Sequence, residues 1–154
     1  MIRALLFDLD ETLHDRSGSL PDFLENQYEH FSAHVSPIPL DEYVSVFLEL
    51  DQDGRVWKDV VYAEMIRRFK LSLPVETLLH DYVTRYPIFA RSFTGVTTFF
   101  AQLPPELPIG LLSNGRRRFN VPSLTRLDSL LPFRRSESRS KKAYVNRIRR
   151  FSYV

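Results

Sequence analysis

The sequence predicts an α/β fold in which one parallel sheet is interrupted by a long helical insertion. Two short apolar runs, Ile2 to Phe7 and Pro108 to Leu112, each end on polar residues: Asp8 in the first case, Ser113 and Asn114 in the second. Nearly uniform apolar runs of this length are the pattern of buried parallel strands, whose carboxyl ends carry functional side chains. Between the two runs the chain is mostly helical in its spacing, so one sheet carrying a helical cap accounts for both observations.

The helices follow in order. Leu20, Phe23, Leu24, Tyr28, Phe31 and Val35 fall at helical spacing behind Ser19, which reads as an N-cap with Pro21 in the first turn. A second helix carries Tyr43, Val44, Phe47 and Leu48, and a third uses Trp57, Val60, Val61 and Phe69. A fourth, with Val75, Leu78, Leu79, Tyr82, Val83 and Tyr86, is opened by Pro74 and closed before Pro87. The last, with Val96, Phe99, Phe100 and Leu103, stops at Pro104 and Pro105 and leads directly into the second strand. There is no internal repeat and no Gly/Ser linker.

A length of 154 residues with 44% hydrophobic content can bury one ordinary core, or a small core with an appended subdomain. No apolar run approaches the roughly 18 residues of a membrane span, and MIRALLFDLD reaches acidic residues too soon for a secretory signal. The expectation is a cytoplasmic protein without a membrane partner. The absence of cysteine excludes disulfides, thiolate metal sites and a cysteine nucleophile. The net charge of +2 conceals two regions. Residues 1–115 hold 17 acidic and 9 basic side chains, whereas residues 116–154 hold 2 acidic and 12 basic.

The chemistry is concentrated in FDLDETL, which puts Asp8 at a strand end and Asp10 in the loop beyond it. In open α/β sheets the reactive crevice lies outside the carboxyl ends of the strands. Two carboxylates that close repel each other unless a cation sits between them, and magnesium takes one or two carboxylates together with a substrate phosphate. Asp8 would then be a nucleophile toward phosphorus, and Asp10 a general acid and base. Thr12 is placed to fix the loop by hydrogen bonding. Ser113 and Asn114 supply a hydroxyl and an amide to phosphoryl oxygens. A plain polar turn is the competing reading of each pair taken alone.

A strand ending in DxDxT, followed later by an apolar strand ending in SN within GLLSNGR, resembles the first two motifs of the haloacid dehalogenase superfamily. The resemblance covers residues 1 to about 118. It implies a Rossmann-like core, a helical cap, magnesium held by Asp8 and Asp10, and an aspartyl-phosphate formed on Asp8 from a small phosphorylated metabolite. The dehalogenase branch lacks the second aspartate, so Asp10 points to a phosphatase. The implied domains are a partial core at 1–14 and 91–118, a cap at 15–90 and a basic tail at 119–154.

Other patterns carry less. Asp51, Asp53 and Gly54 have the look of a calcium loop, but Val60 stands where its bidentate Glu is needed. His30 and His34 are four residues apart without a third ligand nearby, and read as surface or cap residues. Trp57 and the Tyr and Phe stripes read as cap core.

The resemblance also calls for a lysine, often followed by proline, and for a later acidic pair. Lys141 and Lys142 lack that context, and no acidic residue follows Glu137. The genetic code offers an explanation. Read in the frame one base earlier, the codons permitted around Lys142 include Glu-Lys-Gly-Ile-Arg-Lys-Pro-Asp-Ser-Ala-Ile-Phe-Leu-Arg, which resembles the third family motif. Those from Asn120 permit Gln-Arg-Ala-Lys-Leu-Asp-Ala-Leu-Gly-Leu-Thr, a helix of the kind that follows SNGR in the family. One lost base near the codons of Arg116 to Phe119 would produce both, and would explain the basic block as unselected sequence. The chain is then expected to be an incomplete and inactive phosphatase. The alternative is a non-catalytic protein that uses its Arg-rich tail, with Phe119, Phe133, Tyr144, Phe151 and Tyr153 among the arginines, on nucleic acid or acidic lipid.

Overall fold

A computed structural model of the chain describes residues 2–112. Its elements run β1 (Leu5–Asp8), α1 (Arg16–His30), α2 (Ser32–Val35), α3 (Leu40–Asp51), α4 (Lys58–Phe69), α5 (Val75–Phe89), α6 (Val96–Gln102) and β2 (Ile109–Leu112). The chain divides into two compact units, Leu20–Phe89 and a second drawn from Met1–Ser19 and Ala90–Val154, so the boundary falls inside α1. No helix among the described residues is long and apolar enough to cross a membrane. Ser113, Asn114, the lysines at 141 and 142 and the whole of the basic tail at 119–154 lie outside the described residues.

In the unit that carries the termini, β1 and β2 pair in parallel with Leu5 opposite Ile109, Phe7 opposite Leu111 and Asp8 opposite Leu112. Among the described residues these two strands are the whole sheet. Leu9, Leu13, Val96, Phe100 and Ile109 form a buried cluster against which Phe7 and Leu103 pack. The Phe7 ring meets Phe100 at 5.2 Å and Phe99 at 5.9 Å, so α6 lies over that side of β1. The opposite side is open: Leu6 is 59% exposed, and Ile2, which precedes the strand, is 70% exposed. β1 is therefore half-buried on one face and exposed on the other, short of the buried strand expected. Strand side chains alternate between faces, and a uniformly apolar run does not show which face is covered.

The helical unit is built on aromatic packing. Phe23 is fully buried and meets Tyr82, Tyr86 and Phe89 at 5.5, 5.6 and 5.8 Å, near-perpendicular contacts of the favourable edge-on kind. Phe47 packs on Tyr62 at 5.3 Å, joining α3 to α4. The Tyr and Phe stripes thus form the core as expected, but Trp57 and Val60 do not, being 41% and 54% exposed. The buried stripe of α4 is instead Val61, Tyr62 and Met65. Trp57 precedes the helix in an extended conformation, and its carbonyl accepts the Val60 and Val61 N–H groups.

Three helix ends differ from the sequence reading. α1 starts at Arg16 rather than after Ser19, because Asp15 caps it: its Oδ1 accepts the Gly18 N–H at 2.8 Å. Ser19 lies inside the helix, its hydroxyl donating to the Asp15 carbonyl. The first helical stretch breaks before Val35, which belongs to the separate turn α2. α5 runs through Pro87 to Phe89 rather than closing before it. Proline costs a helix one backbone hydrogen bond, and on either side of it the buried Tyr86 and the half-buried Phe89 pack against Phe23.

Candidate functional site

Asp8 stands exposed at the carboxyl end of β1, with the end of β2 in register beside it. The chain then closes a tight loop. Leu9 is buried, and its carbonyl accepts the Leu13 N–H at 3.0 Å, the His14 N–H at 2.9 Å and the Thr12 N–H at 3.4 Å. Glu11 takes a left-handed conformation (φ 58°), and its N–H donates to the His14 carbonyl at 2.9 Å. That turn brings His14 back to Asp10: the two residues form a β-bridge, and His14 Nδ1 lies 2.8 Å from Asp10 Oδ1. The Asp10 side chain is 47% exposed and that of His14 only 1%.

Below the loop sits a second polar group. Glu11 accepts the Ser17 N–H at 2.7 Å and the Ser17 hydroxyl at 3.1 Å. Asp15 accepts Arg91 Nε at 3.3 Å, while the Arg91 carbonyl accepts the Asp15 N–H at 2.9 Å. The Asp15 carboxyl is held below its ordinary value, first by the Gly18 N–H and then by the Arg91 guanidinium, against a desolvation cost that pushes the other way. Two carboxylates at the start of α1 also complement the helix dipole. They hold the loop on the helix and so keep Asp10 and His14 on a fixed base.

Of the five residues expected from the sequence, Asp8, Asp10 and Thr12 fall in this loop, and Ser113 and Asn114 lie outside the described residues. Asp8 and Asp10 supply carboxylate oxygens, the hard donors that magnesium accepts. No cluster of three or more metal-binding side chains is present among the described residues. The donor chemistry fits a magnesium ion held partly by protein and partly by phosphate and water. One Asp10 oxygen is already engaged by His14.

His14, Glu11, Asp15 and Arg91 were not foreseen. A histidine directly after Leu13 has no periodic signature, and its meeting with Asp10 depends on a left-handed glutamate that sequence gives no reason to expect.

The helical unit holds a separate polar system. Asp81 is buried and accepts from Gln27 Nε2 and Arg85 Nη1, each at 3.0 Å, and its Oδ1 lies 3.0 Å from His30 Nδ1. Gln27 Oε1 in turn accepts the Tyr43 and Tyr62 hydroxyls, both at 3.0 Å. His30 is thus an exposed partner of Asp81 and Arg85, and His34 is exposed, in keeping with their reading as surface or cap residues. Asp51 and Gly54 belong to the turn after α3, where the Gly54 N–H donates to Asp51 Oδ2 at 2.8 Å and Lys58 pairs with Asp51.

No protein-family model matches the chain, and no curated protein sequence matches it significantly. Sixteen chains among the solved structures do match. One of them, from Lactobacillus plantarum and provisionally assigned as a phosphoglycolate phosphatase, is 18% identical, with a TM-score of 0.44 over 81% of this chain and 56% of that one. The chain therefore spans little more than half the length of that protein. The likeness is slight, and the functional reading rests on this chain's own residues.

Proposed function

We propose that the chain carries the first part of a magnesium-dependent phosphatase site of the haloacid dehalogenase type, acting on a small phosphomonoester. The observation that carries this reading is the placement of DxDxT: Asp8 ends β1 beside the end of β2, and Asp10 follows in a tight, hydrogen-bonded loop.

In the intact reaction an Asp8 oxygen attacks phosphorus and the ester P–O bond breaks. The departing oxygen takes a proton from Asp10. Water then gives a proton to Asp10 as it attacks the same phosphorus, releasing inorganic phosphate and restoring the Asp8 carboxylate. Asp8 and Asp10 would hold a magnesium ion, which would supply charge neutralisation for the carboxylate and the phosphate. Thr12 steadies the loop, and Ser113 and Asn114 donate to the phosphoryl oxygens. The chain lacks a lysine in the family context and a late acidic pair, so charge on the transferring group goes uncompensated where compensation matters most.

The frame change proposed near Arg116 to Phe119 makes the reading testable. Resequencing across the codons for Gly115 to Asn120 comes first. The 154-residue chain and a version with one base restored are then assayed for magnesium-dependent hydrolysis of p-nitrophenyl phosphate. The expected result is little or no turnover by the first, and turnover by the second that disappears in Asp8→Asn. A restored chain that is inactive, or whose activity survives Asp8→Asn, sinks the proposal.

A further inference from the structure

We infer that His14 is a positioning residue for Asp10, fixing the carboxylate orientation that the site requires; the inference rests on the reading of Asp8 and Asp10 as a magnesium-dependent site.

The Asp10 side chain is about half exposed. The imidazole that meets it is fixed. His14 is buried, its N–H donates to the Leu9 carbonyl at 2.9 Å, and its carbonyl accepts the Glu11 and Arg16 N–H groups, each at 2.9 Å. It also bridges to Ser92 on the side away from Asp10. A partly exposed carboxylate bonded at 2.8 Å to a ring held in this way is restricted without being covered. That is the arrangement a reacting or ligating group needs, since the entropy of fixing it is lost on folding rather than on binding.

The chemistry also fixes the tautomer. An ionised carboxylate only accepts hydrogen bonds, so the proton of a neutral His14 must sit on Nδ1 for the contact with Asp10 Oδ1 to be one. Partners of this kind behind metal-binding groups typically change metal affinity by about 10–100-fold when removed.

The test uses the full 154-residue chain. Nitrogen-15 histidine spectra of the native protein should show His14 protonated on Nδ1; a proton on Nε2 alone overturns the inference. Magnesium binding is then titrated calorimetrically. Asp8→Asn should abolish it, His14→Leu should weaken it by roughly 10-fold, and His14→Asn, which keeps a side-chain N–H donor, should recover most of the loss. Asp8-dependent binding that ignores His14→Leu refutes the role of His14 and leaves the site reading standing. Absence of any Asp8-dependent binding in both the 154-residue chain and the base-restored chain refutes the site reading and takes the His14 role with it. If circular dichroism shows His14→Leu unfolded, the tautomer and the His14→Asn affinity decide.

Discussion

The Asp15 carboxylate lies between two donors, the Gly18 N–H at 2.8 Å and Arg91 Nε at 3.3 Å. The first contact satisfies a backbone donor at the start of α1, and the second ties the helix to the segment that follows α5. Losing the cap with Asp15→Ala should cost about 1 kcal/mol, seen as a lower melting temperature. The sign with pH follows from the lowered carboxyl. Its contribution is complete above the ordinary value of 3.8 and is lost as pH falls through the lower folded value. Asp15→Asn keeps an acceptor for Gly18 but carries no charge. Its melting temperature should therefore fall below that of the native chain at neutral pH, and the gap should close on acidification below about pH 4. A gap that stays constant with pH would show that the Arg91 contact contributes nothing through charge. Gly18 has a part in this arrangement, because an added Cβ would lie 2.4 Å from Asp15 Oδ2 and displace the capping carboxylate.

Helices show the same dependence on partners that sequence does not display. Five helical stretches and two strands were legible from spacing alone, because part of each apolar stripe survives as a buried face: Tyr43 and Phe47 in α3, Leu78, Tyr82 and Tyr86 in α5, Val96 and Phe100 in α6, while Leu48 and Phe99 are exposed. The ends were not legible. Ser19 is as good a capping residue as Asp15, and only the Asp15 contacts with Gly18 and Arg91 decide between them. Pro87 ought to end α5, yet the helix runs on to Phe89, whose ring packs on Phe23. Asp8 and Asp10 could be proposed as a pair from the sequence because the DxDxT spacing is itself the signal, whereas the contact of His14 with Asp10 became visible only through the folded turn at Glu11. The continuation past Pro87 can be tested. Phe23→Ala removes the ring that Tyr82, Tyr86 and Phe89 all pack against, and should cost about 3–5 kcal/mol, as large-to-small changes of buried aromatics do. Its local mark should be faster amide exchange at Ile88 and Phe89, beyond the proline, than in the native chain. Unchanged exchange there would mean that α5 continues past Pro87 for some other reason.

The molecule as a whole has an alkaline limit to its stability, set inside the helical unit. Tyr43 and Tyr62 are fully buried and share one acceptor, Gln27 Oε1. Burial is the first cause that pushes both phenols above the ordinary value of 10.0; Asp81 adds to it at Tyr43, and Tyr43 itself adds to it at Tyr62. Among the described residues no buried side-chain polar atom lacks a partner, so the network is closed while the two phenols stay neutral. A raised folded value means that the native state keeps protons the unfolded chain gives up. The contribution of these two phenols to stability is therefore complete below about pH 10 and declines as pH rises beyond it, toward the higher folded values. Gln27→Leu should shift this behaviour as well as the baseline. It leaves two phenols and one Asp81 oxygen without their partner, at about 1–3 kcal/mol for each group left unsatisfied. In the native chain, phenolate absorbance from the two buried tyrosines should rise together with the loss of helical circular dichroism, rather than before it. Phenolate appearing first, in a chain that is still helical, would mean that alkali reaches Tyr43 and Tyr62 without unfolding, and that the hydrogen-bonded core around Gln27 is not what limits the fold.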